Sequence, residues 1–170
     1  LATRNGVADR VTLRQERLGP ESLAALVDPG RTVIFMDIDG PEIDRGVLVV
    51  QGGKILAAGA VAVPADAEVI DVTGKVVMPG LVCSHTHIGA VAGGDSSGPL
   101  HPDVRALDAI NVRDPGIQKA QAGGITTVNC MPGSGHLMSG RTITMKLRDG
   151  NTIDDLALRL LDGSIMGGIK

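Results

Sequence analysis

The chain has 170 residues, 43% of them hydrophobic, and a formal charge of −3. That is enough for one domain or somewhat more around a sizeable core, and the charge makes neither nucleic acid nor an anionic membrane an expected partner. With one aromatic residue, Phe35, and no Trp or Tyr, the core has to be built from Val, Ile, Leu, Ala and Met.

Residues 1–30 are mixed and polar, interrupted at Asn5-Gly6, Gly19-Pro20 and Pro29-Gly30, and read as an N-terminal extension. Within them Leu23, Leu26 and Val27 recur at helical spacing, which predicts a short helix over 21–27. Residues 31–79 read as β structure. Strands are expected at Thr32-Val33-Ile34-Phe35-Met36, at Gly46-Val47-Leu48-Val49-Val50, at Ile55-Leu56-Ala57-Ala58 and at Val69-Ile70-Asp71-Val72. Gln51-Gly52-Gly53-Lys54 supplies a hairpin turn and Thr73-Gly74-Lys75 closes the last strand. Short strands separated by turns predict a small sheet or β-sandwich.

The pattern changes at residue 80. Leu81-Val82-Cys83 begins a strand that runs into His85 and His87, and 89–102 is a Gly/Ser/Pro-rich loop. A helical segment follows within 103–122, ending at Gly123-Gly124. Ile125-Thr126-Thr127-Val128-Asn129-Cys130 is β-branched and predicts the next strand. Thr142-Ile143-Thr144-Met145 predicts another, 154–160 a helix with acids in its first turn, and 164–170 a further strand. Strand, loop, helix, strand is the rhythm of a parallel α/β sheet or barrel.

Alternate residues of an extended strand point to one face, so His85 and His87 can aim both imidazoles at one point. That arrangement suits a metal ion. Imidazole nitrogens bind zinc at roughly 2.0–2.1 Å in sites needing about three or four ligands, so the pair is part of a site. Cys83 and Cys130 form neither a CxxC motif nor a disulfide framework and read as buried small hydrophobes.

Three stretches carry a family resemblance. Gly46-Val47-Leu48-Val49-Val50-Gln51-Gly52-Gly53-Lys54-Ile55, then Gly74-Lys75-Val76-Val77-Met78-Pro79-Gly80-Leu81-Val82, then His85-Thr86-His87 together resemble the entrance to a metal-dependent amidohydrolase. Downstream, Arg105-Ala106-Leu107-Asp108-Ala109-Ile110-Asn111, Ala122-Gly123-Gly124-Ile125-Thr126-Thr127-Val128, Pro132-Gly133-Ser134 and Gly168-Ile169-Lys170 resemble the imidazolonepropionase-related branch. The resemblance covers about residues 32–170. It implies an α/β fold in which a small β-sandwich, 31–79, precedes the first half of a (β/α)8 barrel, 80–170. His85 and His87 would then end the first barrel strand and bind metal.

The resemblance also makes Lys170 a metal ligand. Many binuclear relatives carboxylate a lysine of the fourth barrel strand to a carbamate that bridges two metals. The separation of Lys170 from His85 suits three βα units at roughly thirty residues each. One or two divalent ions, zinc the expected one, are the implied cofactor. One departure stands out: the superfamily usually has Asp two residues before the first histidine, where this chain has Cys83, which bears on support of the strand end rather than on ligation.

His136, in the loop after the second barrel strand, is the candidate substrate contact. His101, Asp95, Ser96 and Ser97 are loop residues with pocket or solvation roles left open, and Asp108 and Asn111 read as helix-start and loop-fixing residues. The expected reaction is hydrolysis of a C–N amide bond in a cyclic amide or small peptide by metal-activated water. Two histidines and a general-base aspartate, expected from later strands, place the rest of the barrel in another chain or segment. The alternatives are a mononuclear deaminase using the histidines without Lys170, and a non-catalytic scaffold. A small-molecule or short-peptide substrate is the expected partner, and a homo-oligomer is left open.

No apolar run approaches the roughly 20 residues of a membrane span. No apolar stretch follows Arg4 and Arg10 to make a secretory signal; a cytoplasmic location is the expectation, with a secreted form whose signal has been removed as the alternative.

Overall fold

A computed structural model describes residues 23–27, 43, 45–90, 94–95 and 97–170. The strand expected over 32–36 lies outside the described residues. The chain divides into two compact units, Leu1–Pro79 and Gly80–Lys170.

The first unit holds a four-stranded sheet. Its strands are β1 (Leu23–Val27), β2 (Val47–Gln51), β3 (Lys54–Gly59) and β4 (Glu68–Asp71), in the order β3-β2-β1-β4. β1 is antiparallel to β2 and parallel to β4. The helix expected over 21–27 is therefore a strand. Five residues are too few to sustain an isolated helix, whereas neighbours on both sides satisfy this backbone.

The β2–β3 turn is set by Gly52 and Gly53 at φ 56° and 72°, two consecutive left-handed positions that match the twist of a hairpin and that side chains rarely adopt. β2 is buried on both faces. Leu48 packs with Val72 and Val77 on one side, and Val47 and Val49 pack with Ala57 and Ala67 on the other.

The second unit is built on a three-stranded sheet of β5 (Leu81–Thr86), β6 (Ile125–Cys130) and β7 (Ile143–Lys146), in that order. β5 and β6 are parallel and are joined through a 3-10 turn, Ala106–Ala109, and the helix α1 (Pro115–Ala122). Asp114 caps α1 by accepting from the Gly116 N–H at 2.6 Å, and Pro115 occupies its first position, where a missing N–H costs nothing. Gly124, at φ 88°, takes the chain out of the helix into β6.

Ile117 of α1 joins Val128 and Cys130 of β6 and Ile143 and Met145 of β7 in the unit's main core cluster. Thr127, Asn129, Thr144 and Lys146 occupy the alternate positions of β6 and β7, and the Lys146 ammonium donates to Thr127 Oγ1 at 3.0 Å.

Three expectations change here. β7 runs antiparallel to β6, not parallel. A parallel return needs a crossover of about a dozen residues or more, usually a helix, and no helix lies between β6 and β7. Likewise, three full βα units do not separate His85 from Lys170: α1 is followed only by the one-turn helix α2 (Ile153–Leu156). The helix expected over 154–160 stops at Leu156 because the next residues pair with β7. Ala157 bridges Met145, and the Leu158 N–H donates to Thr144 O at 2.9 Å. Residues 164–170 run extended beside 140–144 through such bonds as Thr144 N–H to Met166 O, 2.8 Å, and Thr142 N–H to Gly168 O, 2.9 Å. Among the described residues no helix is long and apolar enough to cross a membrane.

Candidate metal centre

His85 lies within β5 and His87 immediately after it. The β5–β6 pairing steps from Cys83 opposite Val128 to Thr86 opposite Cys130, with a bulge between. Bulges re-aim side chains at strand ends. The two imidazoles stand 5.4 Å apart between ring centroids, at 81° to each other. His87 Nδ1 is 2.8 Å from Met131 O. A carbonyl can only accept, so Nδ1 carries the proton and a neutral His87 presents the lone pair of Nε2. A ring nitrogen fixed this way on a carbonyl is the usual support for a metal-ligating histidine.

Lys170 completes the group from 85 residues away: its Nζ lies 3.2 Å from His85 Nε2 and donates to Ser134 Oγ at 2.9 Å. Its main chain is clamped as well, with the Ser139 N–H donating to Lys170 O at 2.6 Å and the Lys170 N–H donating to Gly140 O at 2.9 Å. Cys83, which stands where an aspartate was expected, donates its thiol to His85 O at 3.2 Å and so bonds to the strand end. The donors present fit part of a metal site: two imidazoles, one with its tautomer fixed, and an amine beside them. Among the described residues no set of three His, Cys, Asp or Glu side chains forms a metal-binding group.

His136 belongs to a different group. Its Nδ1 is 3.3 Å from Ser139 Oγ, and its ring meets that of buried His101 edge-on at 5.0 Å. His101 Nε2 accepts from the Gly98 N–H at 3.4 Å, and Nδ1 faces Asp95 Oδ2 at 3.8 Å. The Ser97 N–H holds the Asp95 carboxyl below its ordinary range. This group joins the loop after β5 to the loop after β6, which Leu137 N–H to Pro99 O at 3.0 Å and His101 N–H to Met138 O at 2.9 Å also stitch together.

Asp108 and Asn111 act locally. Asp108 accepts two bonds from Arg105 at 2.8 and 2.6 Å, and Asn111 Oδ1 accepts from the Arg113 N–H at 3.0 Å. Ser134 and the Met131 carbonyl are partners of the site that motif and spacing do not reveal. Ser134 stood only in a Pro-Gly-Ser run, and a backbone carbonyl leaves no signal in side-chain patterns.

The mixed α/β architecture, the His-x-His strand end and the likeness to known proteins place this chain in the metal-dependent amidohydrolase superfamily. A 5'-deoxyadenosine deaminase of Methanosarcina mazei is 40% identical over 65 residues, 38% of this chain and 15% of that protein. A dihydroorotase of Geotalea daltonii is 32% identical over 134 residues, 72% of this chain and 26% of that protein. An amidohydrolase of known structure from Thermotoga maritima superposes with a TM-score of 0.68 at 32% identity, over 74% of this chain and 34% of its own. No protein-family model matches the chain. The chain thus spans between 15% and 34% of the length of these proteins. Deaminase and dihydroorotase alike match it, so the likeness does not single out the imidazolonepropionase-related branch.

Proposed function

We propose that this chain supplies part of the metal site of an enzyme that hydrolyses a C–N bond in a cyclic amide or small peptide. The observation that carries the reading is the 3.2 Å approach of Lys170 Nζ to His85 Nε2 across 85 residues of sequence. In this reading His85 and His87 hold one or two divalent ions, zinc first among them. Bound metal would supply an acidified water and polarise the scissile carbonyl.

Met131 O keeps His87 in the tautomer that ligates. Lys170 is the residue for carboxylation: its amine attacks carbon dioxide, an N–C bond forms, and a proton leaves to solvent. The resulting carbamate has two oxygens able to take metal. His136 remains the proposed substrate contact. A general-base aspartate and further ligands belong to parts of the protein outside residues 1–170.

Residues 31–79, joined in their sheet by β1 from the preceding segment, are read as the β-sandwich and 80–170 as the first part of a (β/α)8 barrel. The parallel β5–α1–β6 unit supports this. So does His85 near the C-terminal end of its strand, where such barrels carry their chemistry; β7 is then an antiparallel excursion. A small-molecule or short-peptide substrate in the cytoplasm fits this reading, and a homo-oligomer is compatible with it.

A second reading rests on the likeness to a 5'-deoxyadenosine deaminase, and would make this a mononuclear deaminase. Metal analysis of the intact protein separates the two. Two metals per chain with a carboxylated Lys170 is the expected result. One metal with an unmodified lysine sinks the binuclear reading, and no bound metal sinks both.

A further inference from the structure

We infer that Ser134 is a positioning residue for Lys170, setting the direction in which the lysine presents its nitrogen to the histidine pair; the inference rests on the carboxylated-lysine reading above. Among the described residues the Lys170 nitrogen has two hydrogen-bond partners, Ser134 Oγ at 2.9 Å and His85 Nε2 at 3.2 Å. His85 comes from β5, whereas Ser134 comes from the loop after β6, so the nitrogen is aimed from two separate segments.

The rest of the lysine is held at its backbone, by Ser139 N–H on one side and Gly140 O on the other. Between that anchor and the nitrogen lies a four-carbon stem with free rotation at each bond. Backbone clamping alone leaves the tip undirected, and the Ser134 hydroxyl, together with His85 Nε2, constrains it. Gly135, next to Ser134, has open space where a Cβ would stand, so the loop is not crowded into place from that side.

The same contact serves both forms of the lysine. The amine donates one of its N–H groups to Ser134 Oγ. When the nitrogen bonds to the carbon of carbon dioxide and releases a proton, the carbamate keeps one N–H, which can donate to the same oxygen. A carbamate is planar at nitrogen, so fixing its single N–H fixes the plane of its two oxygens. Without the hydroxyl, that plane turns freely about the last bond of the stem, and the carboxylated form loses its one directed contact.

The test uses the intact protein with 13C-labelled bicarbonate, reading the Lys170 carbamate signal by 13C NMR against bicarbonate concentration, with Lys170→Ala to assign it. Ser134→Thr and Ser134→Val are the informative pair, being nearly equal in shape and differing in the hydroxyl. Ser134→Val is expected to need roughly tenfold more bicarbonate for half-maximal signal, the scale of one hydrogen bond to a charged group. Ser134→Thr should stay close to the parent protein. Equal bicarbonate dependence for Val and Thr overturns the role of Ser134 while leaving the lysine reading intact. No carbamate signal in the parent at any bicarbonate concentration overturns both.

Discussion

A carbonyl decides the chemistry of His87. Met131 O accepts from the Nδ1 N–H and leaves the lone pair of Nε2 free of the proton. Because loss of an outer partner alone typically costs 10–100-fold in metal affinity, His85→Ala and His87→Ala should each weaken retention by at least about a hundredfold. Equilibrium dialysis against a competing chelator measures this; retention within tenfold of the parent would count against ligation.

Cys130 offers an independent check on the core. Burial pushes its thiol up to about 11 from an ordinary 9.0. Below pH 9 the folded and unfolded chains both keep the proton, and the thiol's contribution is fully present. Between about pH 9 and 11 the unfolded chain ionises first, so stability falls as pH rises, by about 2–3 kcal/mol at most. Denaturant titrations across that range should show the decline, and Cys130→Ala should flatten it.

At the scale of elements, β1 and β7 show where local pattern yields to neighbours. β1 has helical spacing of its apolar residues yet hydrogen-bonds to strands on both sides. β7 was legible as a strand from Thr142-Ile143-Thr144-Met145, but not its direction, which depends on the helix-free connection before it. Ile143 and Met145 are fully buried against Val128 and Cys130. Ile143→Ala should therefore cost about 2–5 kcal/mol in equilibrium unfolding.

Gly140 is the other sensitive position. It sits at φ 118°, and a Cβ there would lie 2.6 Å from Val104 O. Gly140→Ala should destabilise the second unit by about 1–3 kcal/mol and disturb the main-chain clamp on Lys170; an unchanged unfolding midpoint would refute the constraint.

On the scale of the whole chain, the second unit carries large apolar side chains in water. Leu161 and Leu137 are fully or almost fully exposed, and Val82 and Ile169 are about two-thirds exposed. A charge of only −3 offers little repulsion between copies. Residues 1–170 produced alone should self-associate, seen as concentration-dependent mass by light scattering; a monodisperse monomer at high concentration would contradict this. Much of the architecture was readable beforehand. The β2–β3 hairpin announced itself in Gly52-Gly53, the parallel β5–α1–β6 unit in its Pro115 and Gly123-Gly124 punctuation, and the His-x-His in its flanks. The pairing of His136 with Ser139 and His101 was not readable, because all three lie in loops whose course is set by cross-loop bonds such as Leu137 to Pro99.

What the sequence determined alone is what local chemistry dictates: which segments extend, where glycine and proline turn the chain, and that two imidazoles stand one residue apart. The tertiary structure decided which distant groups meet. Lys170 reaches His85, and Ser134 reaches Lys170, because the segment 164–170 hydrogen-bonds beside 140–144 and β6 lies beside β5. Those pairings depend on register across the chain, which no local propensity encodes.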